Sequence, residues 1–116
     1  MKHRDYVAIS KIIAEIDIAE GMLSGVELQD FTEDEKTKRA ICMTVINIGE
    51  LVKAISDEVR LKYKDIQWKE AAGFRDIAAH KYQSLDMSDV YITVMQDFPV
   101  FKKQLEQILN NETDER

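Results

Sequence analysis

The chain has 116 residues, 45% of them hydrophobic and only four Gly and one Pro, which fits one folded domain and excludes collagen-like or disordered classes. One cysteine rules out an internal disulfide and a zinc site built on several thiolates; no apolar run approaches the ~18 residues of a membrane span. The formal charge of −6 argues against wrapping a nucleic-acid duplex, yet residues 60–82 hold six Lys/Arg against three Asp/Glu, between flanks where acids exceed bases.

The N-terminus MKHRDYVAIS lacks the apolar core of a secretory signal, so a cytoplasmic setting without a membrane partner is expected. From about Asp5 to Leu23, Ile9, Ile12, Ile13, Ile16, Ala19, Met22 and Leu23 recur at spacings of three and four, one apolar stripe of an amphipathic helix. Gly25 is the candidate left-handed cap residue after it, and VELQDF reads as a connection. Thr32-Glu33-Asp34-Glu35 fits a capping box, with Phe31 placed for a hydrophobic staple. Ile41, Val45, Ile48, Val52, Ile55 and Val59 then step along a second helix, and Cys42, Met43, Ile46 and Leu51 widen its stripe. Such a helix touches neighbours on more than one side.

After RLKYKD, a third helix is expected near Asp65 or Ile66, carrying Trp68, Ala71, Ala72, Phe74, Ala78 and Ala79. Asp86 is a reasonable N-cap for a fourth. Pro99 predicts a kink or fresh start, because Phe101, Leu105, Ile108 and Leu109 resume helical spacing at once. No segment calls for a strand. The result is an all-α, four- to five-helix up-and-down bundle occupying 1–110, followed by a polar tail at 111–116 that is expected to fray.

The chemistry concentrates in RDIAAHKY at 75–82. Asp76 and His80 stand at i and i+4, so the carboxylate could hold the ring in one tautomer and favour its protonated form. Arg75 and His80 are about 140° apart around an ideal helix and converge on one ligand only if the helix ends between them or a second subunit completes the site. An arginine fork suits phosphoryl oxygens, and a histidine can take or give a proton near neutrality. Cleaving RNA this way requires neither metal nor organic cofactor, and a symmetric pair would supply both acid and base. The competing reading makes His80 a helix C-cap and Arg75 the partner of an acid on another helix. His3 reads as an ordinary surface residue.

Glu50 offers two readings: a partner that orients Arg75 or Arg60, or a simple interhelical ion pair. Arg60, Lys62, Lys64 and Lys81 could form a track for RNA phosphates, or an ordinary solvated helix end. Trp68, Tyr63 and Tyr91 could stack bases, although helical spacing places Trp68 in the core.

INIGE at 46–50, Trp68, AGFRDIAAHKY at 72–82, the SLD turn, Val90-Tyr91 and DFPVFKKQLEQIL at 97–109 together resemble the HepT-like family within the HEPN superfamily. RDIAAHKY matches its R-x4-H-x-Y pattern at each fixed position. The resemblance implies a HEPN-like helical bundle that forms a homodimer, with Arg75 as phosphate-binding cation and His80 as acid/base in an interface cleft. It also implies a metal-independent ribonuclease toxin of a two-gene toxin–antitoxin pair, whose partner is a small nucleotidyltransferase that silences it by attaching AMP to Tyr82. Asp76 stands where many members have Asn; a carboxylate there could raise the pKa of His80 or weaken cleavage. Phe74 keeps an apolar position that is often Met. The alternatives are a non-catalytic helical subunit that binds and accepts adenylate from the nucleotidyltransferase, and a structural bundle with a degenerate site.

Overall fold

The computed structural model describes residues 1–73 and 82–116. The protein is all-α: six α-helices are found among the described residues, with a further helical stretch at 68–73. No strand occurs among them; the one bridge of strand type is isolated and joins Lys2 to Glu115.

Helix α1 (His3–Leu23) buries Ala8, Ile9, Ile12, Ile16, Ala19 and Leu23, the stripe expected from the spacing, and lies against α3 and α7. It stops at Ser24, after which Gly25 takes φ 74°, a left-handed conformation that costs glycine nothing. The stretch expected to be a connection instead forms α2 (Leu28–Glu33). Its single turn and a half carries Phe31 into the core with no exposed surface, 5.8 Å from the Tyr91 ring.

That burial overturns the expected capping box. Thr32 sits within α2 and donates its hydroxyl to the Gln29 carbonyl at 2.8 Å, so it cannot cap the next helix. Asp34 does so: its carboxylate accepts the Thr37 amide at 3.2 Å and the Thr37 hydroxyl at 2.7 Å. Those bonds hold the Asp34 carboxyl below its usual range.

Helix α3 (Glu35–Lys53) buries Ile41, Cys42, Thr44, Val45, Ile48, Gly49 and Val52. The sequence pattern carries the helix on through Val59, but the chain breaks at Ala54–Ser56 and restarts as α4 (Asp57–Lys62). The cause lies on α1. Asp5, 1% exposed, accepts the Ser56 amide at 2.8 Å and its hydroxyl at 2.7 Å, turning Ser56 out of helical register. Ile55 and Val59 still reach the core, so the apolar spacing survives a change of axis. Arg60 closes the break by donating to the Val52 and Ile55 carbonyls at the helix end, where the Val52 carbonyl also accepts the Ile55 amide at 3.1 Å.

The third predicted helix is helical from 68, not 65 or 66; we label the described stretch 68–73 α5. Trp68 is buried and packs edge-on against Phe101 at 5.9 Å, with its indole N–H on the Tyr63 carbonyl. Beyond the 3-10 turn Tyr82–Ser84, Asp86 caps α6 (Met87–Ile92) by accepting the Ser88 amide at 2.9 Å. A π-helical turn, Thr93–Asp97, passes into α7 (Phe98–Asn111). The widened turn precedes Pro99 and is closed by the Phe98 amide on the Thr93 carbonyl, which accommodates a residue that cannot donate its own bond. Pro99 thus causes neither a loop nor a restart.

The extra helices beyond the expected four to five are therefore the short ones, α2 and α4. The tail does not fray either. His3 Nδ1 meets Asp114 at 2.9 Å, the Glu115 amide donates to the Met1 carbonyl at 3.0 Å, and Glu112 accepts from Lys62 at 2.7 Å and Tyr63 at 2.6 Å. Acids of the tail face cations of the helix ends.

Candidate functional site

Of the residues singled out in the sequence, Arg75, Asp76, His80 and Lys81 lie outside the described residues, as do Phe74, Ala78 and Ala79. Tyr82, the last position of the R-x4-H-x-Y pattern, is described. It opens the 3-10 turn and rests against the first turns of α3.

Its hydroxyl donates to Glu35 Oε1 at 3.0 Å. The same carboxylate oxygen receives Arg39 Nε at 2.9 Å, and the other oxygen receives Lys38 Nζ at 3.0 Å. The Arg39 guanidinium also sits 5.0 Å from the centre of the Tyr82 ring, a cation–π contact. The i, i+3 and i, i+4 spacing on α3 brings both cations to Glu35; the chain's return brings the phenol. Burial pushes the Tyr82 phenol above its ordinary pKa, and donation to the Glu35 anion adds to that despite the nearby Arg39. Glu35 is held below the usual carboxylate range, first by Lys38 and then by Tyr82. Beneath this cluster, burial raises the thiol of Cys42, an internal hydrophobe as expected.

Sequence reasoning missed Glu35, Lys38 and Arg39 as a group. Glu35 was accounted for as half of a capping box, and nothing local links it to a tyrosine 47 residues away.

The same outer face of α3 continues through Met43, Asn47 and Glu50, all exposed. Glu50 stands eleven residues beyond Arg39, about 16 Å along the axis, so the structure does not bring it to Tyr82. Arg60 is drawn to the end of α3. Lys62 is paired with Glu112, which raises its pKa. Lys64 is exposed. The phenols of Tyr63 and Tyr91, both half-buried, are tied to Glu112 and to the Val26 carbonyl at 2.6 Å each, and Trp68 is buried and offers no stacking surface. His3 is half-exposed and bound to Asp114.

A groove of about 380 Å³ lies between α3, α5 and α7, with Val45, Ile48 and Phe101 on its floor and Asp65, Glu70 and Asp97 on its rim. None of the described candidate residues lines it. Among the described residues no group of three or more His, Cys, Asp or Glu could hold a metal ion, and no helix is long and apolar enough to cross a membrane.

Against known proteins, the family described as "Ribonuclease HepT-like" matches residues 12–108, a span that runs from α1 through α7 and takes in the whole 75–82 motif. The chain belongs to the HepT-like family. Several relatives match almost end to end. A protein of Caldanaerobacter subterraneus subsp. tengcongensis named "Putative RNase" is 31% identical over 104 residues, 90% of this chain and 93% of its own. A Methanocaldococcus jannaschii protein of the same description is 32% identical over 112 residues, 96% of this chain and 93% of its own. A Thermococcus cleftensis protein named "Probable ribonuclease HepT" is 30% identical over 106 residues, 91% and 94% respectively. No solved structure matches. HepT-like membership accounts for the all-helical fold and gives the R-x4-H-x-Y pattern its context.

Proposed function

We propose that this HepT-like protein is a metal-independent endoribonuclease, the toxin of a two-gene toxin–antitoxin system, formed by a single domain over 1–110 and active as a homodimer. The observation that carries the reading is the family match across 12–108, supported by relatives whose names mark them as ribonucleases. In this reading Arg75 and His80 from two chains line one cleft. One His80 removes the proton from an RNA 2′-hydroxyl, and its symmetry mate protonates the leaving 5′-oxygen. Arg75 neutralises charge that builds on the phosphorus, through paired N–H donors. Asp76 favours the imidazolium form of His80, and Glu50 supports the cleft from α3. Of Arg60, Lys62 and Lys64, the exposed Lys64 is the freer candidate for phosphate contact, since Arg60 and Lys62 already serve the α3 end and Glu112; Lys81 is the fourth proposed contact.

Tyr82 is the proposed control point. A small nucleotidyltransferase partner attaches adenylate to its phenol and silences the ribonuclease by bulk and added negative charge. The half-buried ring with its hydroxyl in a charged surface cluster supports this role. The non-catalytic alternative, a subunit that only accepts adenylate, uses the same tyrosine and differs in having no activity of its own.

Cleavage of a fluorescent RNA in EDTA distinguishes the two. The wild type yields 2′,3′-cyclic phosphate ends, and His80→Ala and Arg75→Ala each lose about 10²-fold or more in rate. Undiminished cleavage by His80→Ala overturns the assignment.

A further inference from the structure

Tyr82, Glu35, Lys38 and Arg39 make a compact ionic cluster with a phenol at its centre. We propose that Lys38 and Arg39 form a receptor for a phosphoryl ester on the Tyr82 oxygen, with Glu35 the anion that occupies them until that ester forms. This rests on the reading of Tyr82 as the modified residue and assigns the groups that would hold its product.

The geometry supports an exchange of partners. The phenol oxygen lies 3.0 Å from Glu35 Oε1, and that carboxylate oxygen lies 2.9 Å from Arg39 Nε. The guanidinium is therefore no more than about 6 Å from the phenol oxygen by the same two contacts. Stacking on the ring, at 5.0 Å from its centre, keeps it there. Lys38 Nζ completes the group from the other carboxylate oxygen at 3.0 Å.

Ester formation changes what each group can do. The phenol oxygen attacks the α-phosphorus of a nucleoside triphosphate, the bond to pyrophosphate breaks, and the phenol proton passes to Glu35 or water. The product oxygen has no proton left to donate, so the bond to Glu35 is lost. The new phosphoryl oxygens enter the space that the carboxylate filled, and two anions there repel. Arginine presents a donor fork matched to phosphoryl oxygens, and lysine adds a point charge. Glu35 has a side chain 55% exposed and can turn into water without unfolding anything. The turn stays clamped to α3, but through a phosphate and two cations instead of a carboxylate and a phenol. Among the described residues, Glu35, Arg39 and the thiol of Cys42 act on this phenol, with Lys38 on the far oxygen of Glu35.

The test installs phosphotyrosine at position 82 of the full chain by genetic-code expansion, because the second ionisation of a phosphomonoester, ordinarily near pKa 6, reports the local field. Phosphorus NMR titration is expected to place that ionisation about one unit lower than in the same protein carrying Lys38→Gln and Arg39→Gln. Each single substitution should move it part of the way, which keeps the test usable if the double variant is unstable. Equal midpoints with and without the two cations overturn the proposal. The underlying reading fails differently. Peptide mass spectrometry after co-expression with a neighbouring nucleotidyltransferase would find no AMP on the Tyr82 peptide, whatever the phosphorus titration shows.

Discussion

Replacing Asp5 with alanine removes the device that ends α3. The carboxylate is 1% exposed and accepts both the amide and the hydroxyl of Ser56. Hydrogen bonds to a charged acceptor contribute roughly 1.5–3 kcal/mol each, and the donors they leave behind are partly shielded from water. Asp5→Ala should therefore cost about 3–5 kcal/mol, a large fraction of the ~5–15 kcal/mol available to a domain. Asp5→Asn keeps one acceptor oxygen and should cost about 1–2 kcal/mol; Ser56→Ala keeps the amide donor and should fall in the same range. Urea unfolding at pH 7, followed by far-UV circular dichroism, gives these differences as midpoint shifts at constant slope. The double variant Asp5→Ala with Ser56→Ala should be less destabilised than the sum of the singles, because the hydroxyl bond can be lost only once. An Asp5→Ala protein within about 1 kcal/mol of wild type would refute the argument that this carboxylate breaks the helix.

Two further outcomes follow from the ends of elements. Gly25→Ala meets no steric obstacle but must hold φ 74°, so it should lose about 1–2 kcal/mol in the same urea assay from backbone strain alone. The tail should detach in acid. Glu112 is held low by Lys62 and Tyr63; Asp114 is held low by His3 and Arg116 against the opposing effect of its burial. Carboxyls depressed in the folded state stabilise it above their unfolded pKa of about 4. That contribution is complete at neutral pH and is lost as pH falls through the lower folded values. Amide exchange at Glu115, whose N–H is bonded to Met1, should be protected at pH 6 and accelerate, relative to core amides, as pH falls below about 4. A pH-independent protection ratio would contradict this.

The long helices were legible because their burial is periodic: the stripe of α1 and the Asp86 cap of α6 stand where spacing and local chemistry put them. What spacing could not show is a change of axis that preserves the pattern. Ile55 and Val59 are buried on the far side of a break, and the residue that makes it, Asp5, is distant in sequence. The capping box failed for a related reason. Thr32 and Asp34 both suit an N-cap locally, and the burial of Phe31 within α2 decided between them. Pro99 showed that something must give, but not that a π-helical turn would absorb it.

At the site, the motif Arg75, His80 and Tyr82 was legible as a pattern, whereas the partners of Tyr82 were not, since a helix's own i, i+4 pairs say nothing about a third group arriving from elsewhere. On the proposed reading, that third group gives α3 a role at the site. Glu35 and Arg39 hold Tyr82, so in that reading the first turns of α3 carry the residue on which control acts. A phosphoryl group retained there by Lys38 and Arg39 would add negative charge beside α3, where it would repel an RNA phosphate. Inhibition by modification would then follow from charge placed at one tyrosine.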